Sequence, residues 1–454
     1  MLLGAALFLC FIASAGTPKY VFYFIGDGMG INQVRLTDIY NEALGLEPVN
    51  FAGFPVKALV TSHSANSLVT DSSAAGTALS SGEKINNGGM GIRPDGVLTH
   101  PLTEYAKAKG YGCGIVTSVG VNHATPSAFY AHSNSRGDLD VLSRQLIESG
   151  DVDFAAGSSF LCGRGAPMQP DNWIEAAREA GITVMCGKDE FRTVKGSRVI
   201  CLGDDYNHQS ALPYAIDRKE GDTSLADFTA AAIDYLSTNF SKGFFLMVEG
   251  GKIDYACHAN DAATVAHEVN DMCESVALAL EFYAKHPDNT LIVVTADHET
   301  GGMSIGNGRY ECNAGLLENQ KLSKDELSAA LSALQREKGD ALTWNDVKGL
   351  LRDELGFWDT VPVDPRAEKR FTQIFKDSYI DGVNDPEVNL YSVNSRMAAA
   401  AIEHLDKMAQ VGWVSGSHSG ATLAVYVLGA KASEFAGISD NTHIPQTIRK
   451  VAKY

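Results

Sequence analysis

The stretch YVFYFIGDGMG, residues 20–30, sets the fold class. Tyr20 to Ile25 are all apolar or aromatic, and the run stops at Gly26-Asp27. A run without polar alternation is a strand buried on both faces, as in parallel sheets. Three more runs have this shape. FFLMV (244–248) stops at Glu249, LIVVTA (291–296) at Asp297, and GIVTSVGV (114–121) at Asn122-His123. ATLAVYVLG (421–429) reads as a final strand. Between these runs lie helical stretches. Val265, Val269, Met272, Val276, Leu280 and Tyr283 recur at spacings of three and four, which is one face of a helix. DVLSRQLIESG (140–150) reads similarly. The alternation predicts an α/β fold, a three-layer α/β/α sandwich with a mostly parallel central sheet.

Residues 303–410 differ. Apolar runs vanish, and charged helical sequence takes over, opened at Ser323-Lys-Asp-Glu326 and Thr343-Trp-Asn-Asp346. This reads as a helical insertion within one main domain, 16–454, because the last strand follows it. The first residues, MLLGAALFLCFIASAG, read as a signal peptide over 1–15, with Ala13-Ser14-Ala15 as the cleavage site. Export to the periplasm or the cell exterior is the expectation. No other run reaches membrane-spanning length, so no transmembrane segment is expected in the mature chain. Of eight cysteines, seven follow that site, and no CxxC pair exists. A thiolate zinc site has no support, and an odd count leaves at least one thiol unpaired within the chain.

The net charge is −18, with 37 basic and 55 acidic residues. No long basic run occurs, so no nucleic-acid partner is expected. An acidic protein acting on an anion needs local positive charge, which bound cations would supply. The sequence offers ligands. In open α/β sheets, sites form beyond the carboxyl ends of strands, and Asp27, Glu249 and Asp297 stand there, with Asp254 close behind. Such a cluster repels itself unless cations occupy it. Asp254 and His258 are at i, i+4, on one face if helical. Asp297-His298 puts two ligands at one strand end. His418 sits in GSHSG (416–420), a flexible small-residue loop. Oxygen and imidazole donors without thiolate suit zinc. Ser72 opens the Ala-rich stretch after VTD (69–71). Asp71 or Ser72 there is an ordinary helix cap. The same position also favours a serine alkoxide beside a bound phosphate. Both readings stand at this point, and no histidine base is adjacent in sequence.

These pieces, in order, resemble the alkaline phosphatase family: FIGDGMG (24–30), VTDSSAAGTALSSG (69–82), HATPSAFYAHSNSR (123–136), MVEGGKIDYACH (247–258), VTADHETGG (294–302) and GSHSG (416–420). The resemblance implies a broad phosphomonoesterase with Ser72 as nucleophile, a phosphoserine intermediate, and two Zn²⁺ plus one Mg²⁺. Asp254, His258 and His418 would hold the first zinc. Asp27, Asp297, His298 and the Ser72 oxygen would hold the second. Asp27, Thr125 and Glu249 would hold the third ion. Arg136 would grip the phosphate, where its planar fork suits two oxygens. The family also implies a homodimer. Two positions differ from the enterobacterial form, with His123 in place of Asp and Tyr255 in place of Lys, both beside the substrate. His123 opens the third site to Zn²⁺. Tyr255 removes a cation from the phosphate, so weaker product inhibition is expected. The competing readings are a phosphodiesterase or sulfatase of the same superfamily, and a noncatalytic zinc- or phosphate-binding protein.

Overall fold

The computed structural model describes residues 16–163, 168–207, 210–308, 310–383 and 385–454, without the side chains of 192 and 193. The expected signal peptide, 1–15, lies outside the described residues. The centre is a nine-stranded sheet. Its strands are β1 (Tyr20–Gly26), β2 (Val56–Val60), β3 (Gly112–Thr117), β4 (Phe154–Gly157), β5 (Thr183–Cys186), β6 (Val199–Leu202), β7 (Phe244–Gly250), β8 (Thr290–Ala296) and β9 (Leu423–Gly429). The order across the sheet is β2-β9-β8-β1-β7-β3-β4-β6-β5. All neighbours run parallel except β9, which is antiparallel to both β2 and β8.

β1 is central because both its faces are apolar. Phe22 packs edge-on against Phe244 and Phe282, with centroids 5.3 and 5.5 Å apart, while Tyr23 meets Phe129 and Phe245. Phe282 belongs to the Ala262–Lys285 helix, whose apolar face is the periodic one read from sequence. At the sheet margin, β2 alternates in exposure along its length, as a one-sided strand should.

Two strand readings change. The GIVTSVGV strand ends at Thr117, and Val119 and Val121 follow in a turn bonded to Ser158 and Ser159. β4, β5 and β6, which widen the sheet beyond β3, have four residues each, too short to stand out as runs. Between β8 and β9 lie the helices Lys324–Lys338, Trp344–Leu355, Pro365–Phe375 and Arg396–Met408. A small hairpin there pairs Glu387–Val388 with Val393–Asn394. Among the described residues, no helix is long and apolar enough to cross a membrane, and the seven cysteines form no disulfide.

Candidate active site

Register decides where the carboxylates meet. Gly26 of β1 pairs with Gly250 of β7 and Ala296 of β8. Asp27 and Asp297 therefore leave the sheet at one level, and Glu249 sits one residue earlier, opposite Ile25. All three are fully buried. After β7 the chain turns into a short helix, Lys252–His258, which brings Asp254 and His258 to the same edge, with His258 Nε2 3.3 Å from Asp254 Oδ2. The glycine after Asp27 is required here. Gly28 has φ +71°, and a Cβ on it would lie 2.7 Å from Asp254 Oδ1. Its N–H donates to Asp297 Oδ1 at 3.1 Å. The backbone of β1 can thus approach Asp254 only without a side chain.

Ser72 is the first residue of the Ser72–Ser81 helix, and Asp71 is its cap. Asp71 Oδ1 accepts from Ala74 N at 3.0 Å. Its other oxygen accepts from Ser73 Oγ, Gly88 N and, at 3.4 Å, Arg136 Nη1. Capping falls to Asp71, so Ser72 Oγ is released toward the carboxylates, 3.2 Å from His298 Nε2. A histidine absent from Ser72's sequence surroundings is thus beside it in space. Asp71 also ties Arg136 to the end of this helix, while the Arg136 side chain keeps 27% exposure and stays open to a ligand.

The hydrogen bonds fix how the three histidines face. His258 Nδ1 donates to Gly416 O at 2.7 Å, and His418 Nδ1 to Thr70 O at 2.9 Å. Thr300 Oγ1 gives its proton to Asp254 Oδ1 at 2.5 Å, so it accepts from His298 Nδ1 at 3.2 Å. With each Nδ1 turned to an oxygen outside the cluster, each Nε2 faces inward. His258 Nε2 and His418 Nε2 are 3.2 Å apart. His298 Nε2 meets Asp27 Oδ1 and Asp297 Oδ2 at 3.3 and 3.2 Å. His418 is not in a flexible loop: His418-Ser419 pairs antiparallel with Glu299-Thr300, which locks it beside His298.

Many buried acceptors here lack any hydrogen bond. They are both oxygens of Asp27, Asp254 Oδ2, Asp297 Oδ2, Glu249 Oε1, Thr125 Oγ1 and His123 Nδ1. Each such orphan costs about 1–3 kcal/mol, and their convergence fits cations better than any protein partner. Ligand-type atoms gather within 4.8 Å of one another in three sets: Asp254, His258 and His418; Asp27, Asp254 and His298; Asp27, His123 and Glu249. Glu249 is held by Thr117, whose hydroxyl donates to its Oε2.

The electrostatics agree. Burial, then Asp297 and Asp254, push the Asp27 carboxyl well above its usual range. Burial, then Asp254, does the same to Asp297. Burial raises Glu249 to about 7. Burial also acts to raise Asp254, but the His258 hydrogen bond and charge outweigh it and hold Asp254 low. Burial, then Arg136, lowers His123 to about 3, and burial, then His418, lowers His298. Histidines kept neutral are histidines able to ligate.

The structure brings together every residue singled out in sequence. It places His123 in one set with Asp27 and Glu249. It adds Thr117 and Thr300, which hold Glu249 and His298. Thr300 stands within VTADHETGG, and Thr117 within the run before His123, so both lay inside stretches already singled out. It also adds Tyr391, whose ring stacks on Tyr255 with centroids 3.5 Å apart. Nothing in the sequence around Tyr391 marks it.

A serine at a helix N-terminus thus faces a carboxylate–imidazole cluster at the carboxyl edge of a mostly parallel sheet, a nucleophile-and-cation site on an α/β sandwich. The chain matches the family profile described as alkaline phosphatase over residues 18–454, and it belongs to that family. It is 30% identical to alkaline phosphatase 4 of Bacillus subtilis (strain 168) over 393 residues, 85% of this chain and 77% of that one. Identity to alkaline phosphatase 3 of the same organism is also 30%, over 96% of this chain and 89% of the other. Among solved structures, a cold-active alkaline phosphatase from the psychrophile Shewanella sp. superposes with TM-score 0.79 at 26% identity, over 95% of this chain and 99% of that one. Thermus thermophilus alkaline phosphatase gives 0.76 at 25%, over 100% and 96%.

Proposed function

We propose that the protein hydrolyses phosphate monoesters with broad specificity through a phosphoserine on Ser72. The observation carrying this is the position of Ser72 Oγ: relieved of capping by Asp71, at a helix N-terminus, 3.2 Å from His298 Nε2. Asp254, His258 and His418 would hold one zinc, and Asp27, Asp297, His298 and Ser72 Oγ a second. Asp27, Thr125 and Glu249, joined by His123, would hold a third ion, magnesium or, given the imidazole, zinc. Bound there, divalent ions supply charge neutralisation and ease ionisation of the serine.

The chain's own groups do the rest. The first N–H groups of the Ser72–Ser81 helix and the Arg136 fork bind and orient the phosphate oxygens. Ser72 Oγ attacks phosphorus, the ester P–O bond breaks, and the alcohol leaves with a proton. Water then cleaves the phosphoserine, releasing phosphate and restoring Ser72. A monoester carries one more negative charge than a diester. A cation held by the third set, with Arg136, therefore favours the monoester over the diesterase or sulfatase reading. The apolar 1–15 run supports export to the periplasm or exterior, and the resemblance supports a homodimer.

Kinetics on p-nitrophenyl phosphate and bis(p-nitrophenyl) phosphate, with elemental analysis of the same sample, test this. The monoester kcat/KM should exceed the diester value by at least about a hundredfold, with two zincs and a third ion per chain. A diester preference would favour the diesterase reading, and metal retained without turnover the binding-protein reading. Tyr255→Lys should tighten inhibition by inorganic phosphate, by restoring a cation there. Unchanged or weaker inhibition would exclude that role for Tyr255.

A further inference from the structure

The hairpin inside the 303–410 segment reaches the active site. Its strands, Glu387–Val388 and Val393–Asn394, are joined across Asn389, Leu390, Tyr391 and Ser392. Asn389 Oδ1 accepts from the N–H groups of Tyr391 and Ser392 at 2.8 and 2.7 Å, and Asn389 N donates to Ser392 O. This bonding sets the tip rigidly. The hairpin is also anchored to the metal-type cluster. Lys324 Nζ bonds Glu387 Oε1 at 2.9 Å and also donates to Ala259 O, directly after the helix bearing Asp254 and His258. Asn394 Nδ2 donates to Asp325 Oδ1 at 2.9 Å.

Tyr391 is what the tip delivers. Its ring lies face to face on Tyr255, at an interplanar angle of 13°. It stands edge-on to His258 at 5.3 Å and 6.4 Å from His123. The hydroxyl is buried and has no hydrogen-bond partner. A buried phenol usually finds one, and here the neighbouring groups are those of the candidate phosphate site. Burial, then Asp254, Tyr255 and Asp27, push the phenol up, with Arg136 opposing. The hydroxyl stays protonated, so it is a donor that has no acceptor until a ligand provides one.

We propose that the Tyr391 hydroxyl is a second side-chain donor to the substrate phosphate, alongside Arg136, supplied by the hairpin of the helical segment. This rests on the phosphomonoesterase reading for its substrate. Its ligand is a phosphate oxygen, whether ester or product.

The test compares wild type, Tyr391→Phe and Tyr391→Leu, each zinc-loaded and checked for metal content. Inorganic phosphate is titrated calorimetrically, and p-nitrophenyl phosphate kinetics are run alongside. Tyr391→Phe keeps the stack and loses the donor. Its phosphate affinity and kcat/KM should each fall about tenfold, as for one hydrogen bond to a charged group, with metal content unchanged. Tyr391→Leu should fall further. Wild-type phosphate affinity in Tyr391→Phe overturns the assignment, and so does a defect confined to Tyr391→Leu, which would mark a packing role only. Phosphate binding without wild-type turnover would overturn the hydrolase reading instead, while affinity would still read the Tyr391 contact.

Discussion

Ser72→Ala should lower turnover of p-nitrophenyl phosphate by at least about a thousandfold while zinc content stays near the wild-type value. Ser72 Oγ is one donor in a set that also holds Asp27, Asp297 and His298, so its loss leaves most of that set in place. The helix should be unaffected, because Asp71 does the capping. Rapid quenching with labelled substrate should trap phosphate on the wild-type chain and none on the variant. Turnover persisting in Ser72→Ala within about tenfold of wild type would move the nucleophile elsewhere.

Chelation should abolish activity and make the protein's stability fall as pH rises above neutrality. Glu249, raised by burial from an ordinary 4.5 to about 7, prefers its protonated form in the fold. Asp27 and Asp297 are raised by burial and by their neighbours' charges. A group raised in the folded state gives stability at low pH that is lost as pH climbs through its folded pKa. His123 and His298, lowered by burial, act oppositely below about 6.5 and add nothing above it, being neutral in both states. Asp254, held low by His258, is ionised throughout that range. Above about pH 6.5 the carboxylates therefore decide the sign. Thermal melts of chelated protein should fall between pH 6.5 and 8, and added zinc should reduce the slope, leaving the share of Glu268, which burial raises to about 7 outside these sets. A chelated melt that rises across that interval would contradict the assignment of these carboxylates to cation sites.

The sheet centre was legible because doubly buried strands leave continuous apolar runs, and β1, β7 and β8 each end in the acid that a site needs. β4, β5 and β6 were not legible. Four residues with Ala, Gly, Thr or Cys among them, as in FAAG and TVMC, carry too little pattern. The candidate ligand residues could be named from local spacing plus resemblance, but their orientations could not. Which nitrogen of His258 faces inward depends on Gly416, and that of His418 on Thr70, contacts that no local window contains. Which of residues 71 and 72 caps the helix was open in sequence; Ala74 N donates to Asp71 Oδ1, and Gly88 and Arg136, brought in from other segments, hold its second oxygen. Tyr391 was invisible because a polar hairpin has no period, and its meaning arises only when it lies on Tyr255.

The strand that runs against the others has a further consequence, for the order in which the protein can be made. β9 lies between β2 and β8, pairing Leu423 with Val60 and Leu428 with Ile292. A nascent chain therefore exposes β2 and one edge of β8 until its distal segment leaves the ribosome. Closing such a distant pairing is slow, and open edges invite aggregation meanwhile. His418, five residues before β9, takes its place over the same step. The growing polypeptide can thus hold a nearly finished core long before it can hold the His258–His418 pair in place, and the candidate site is completed only after the distal segment has joined.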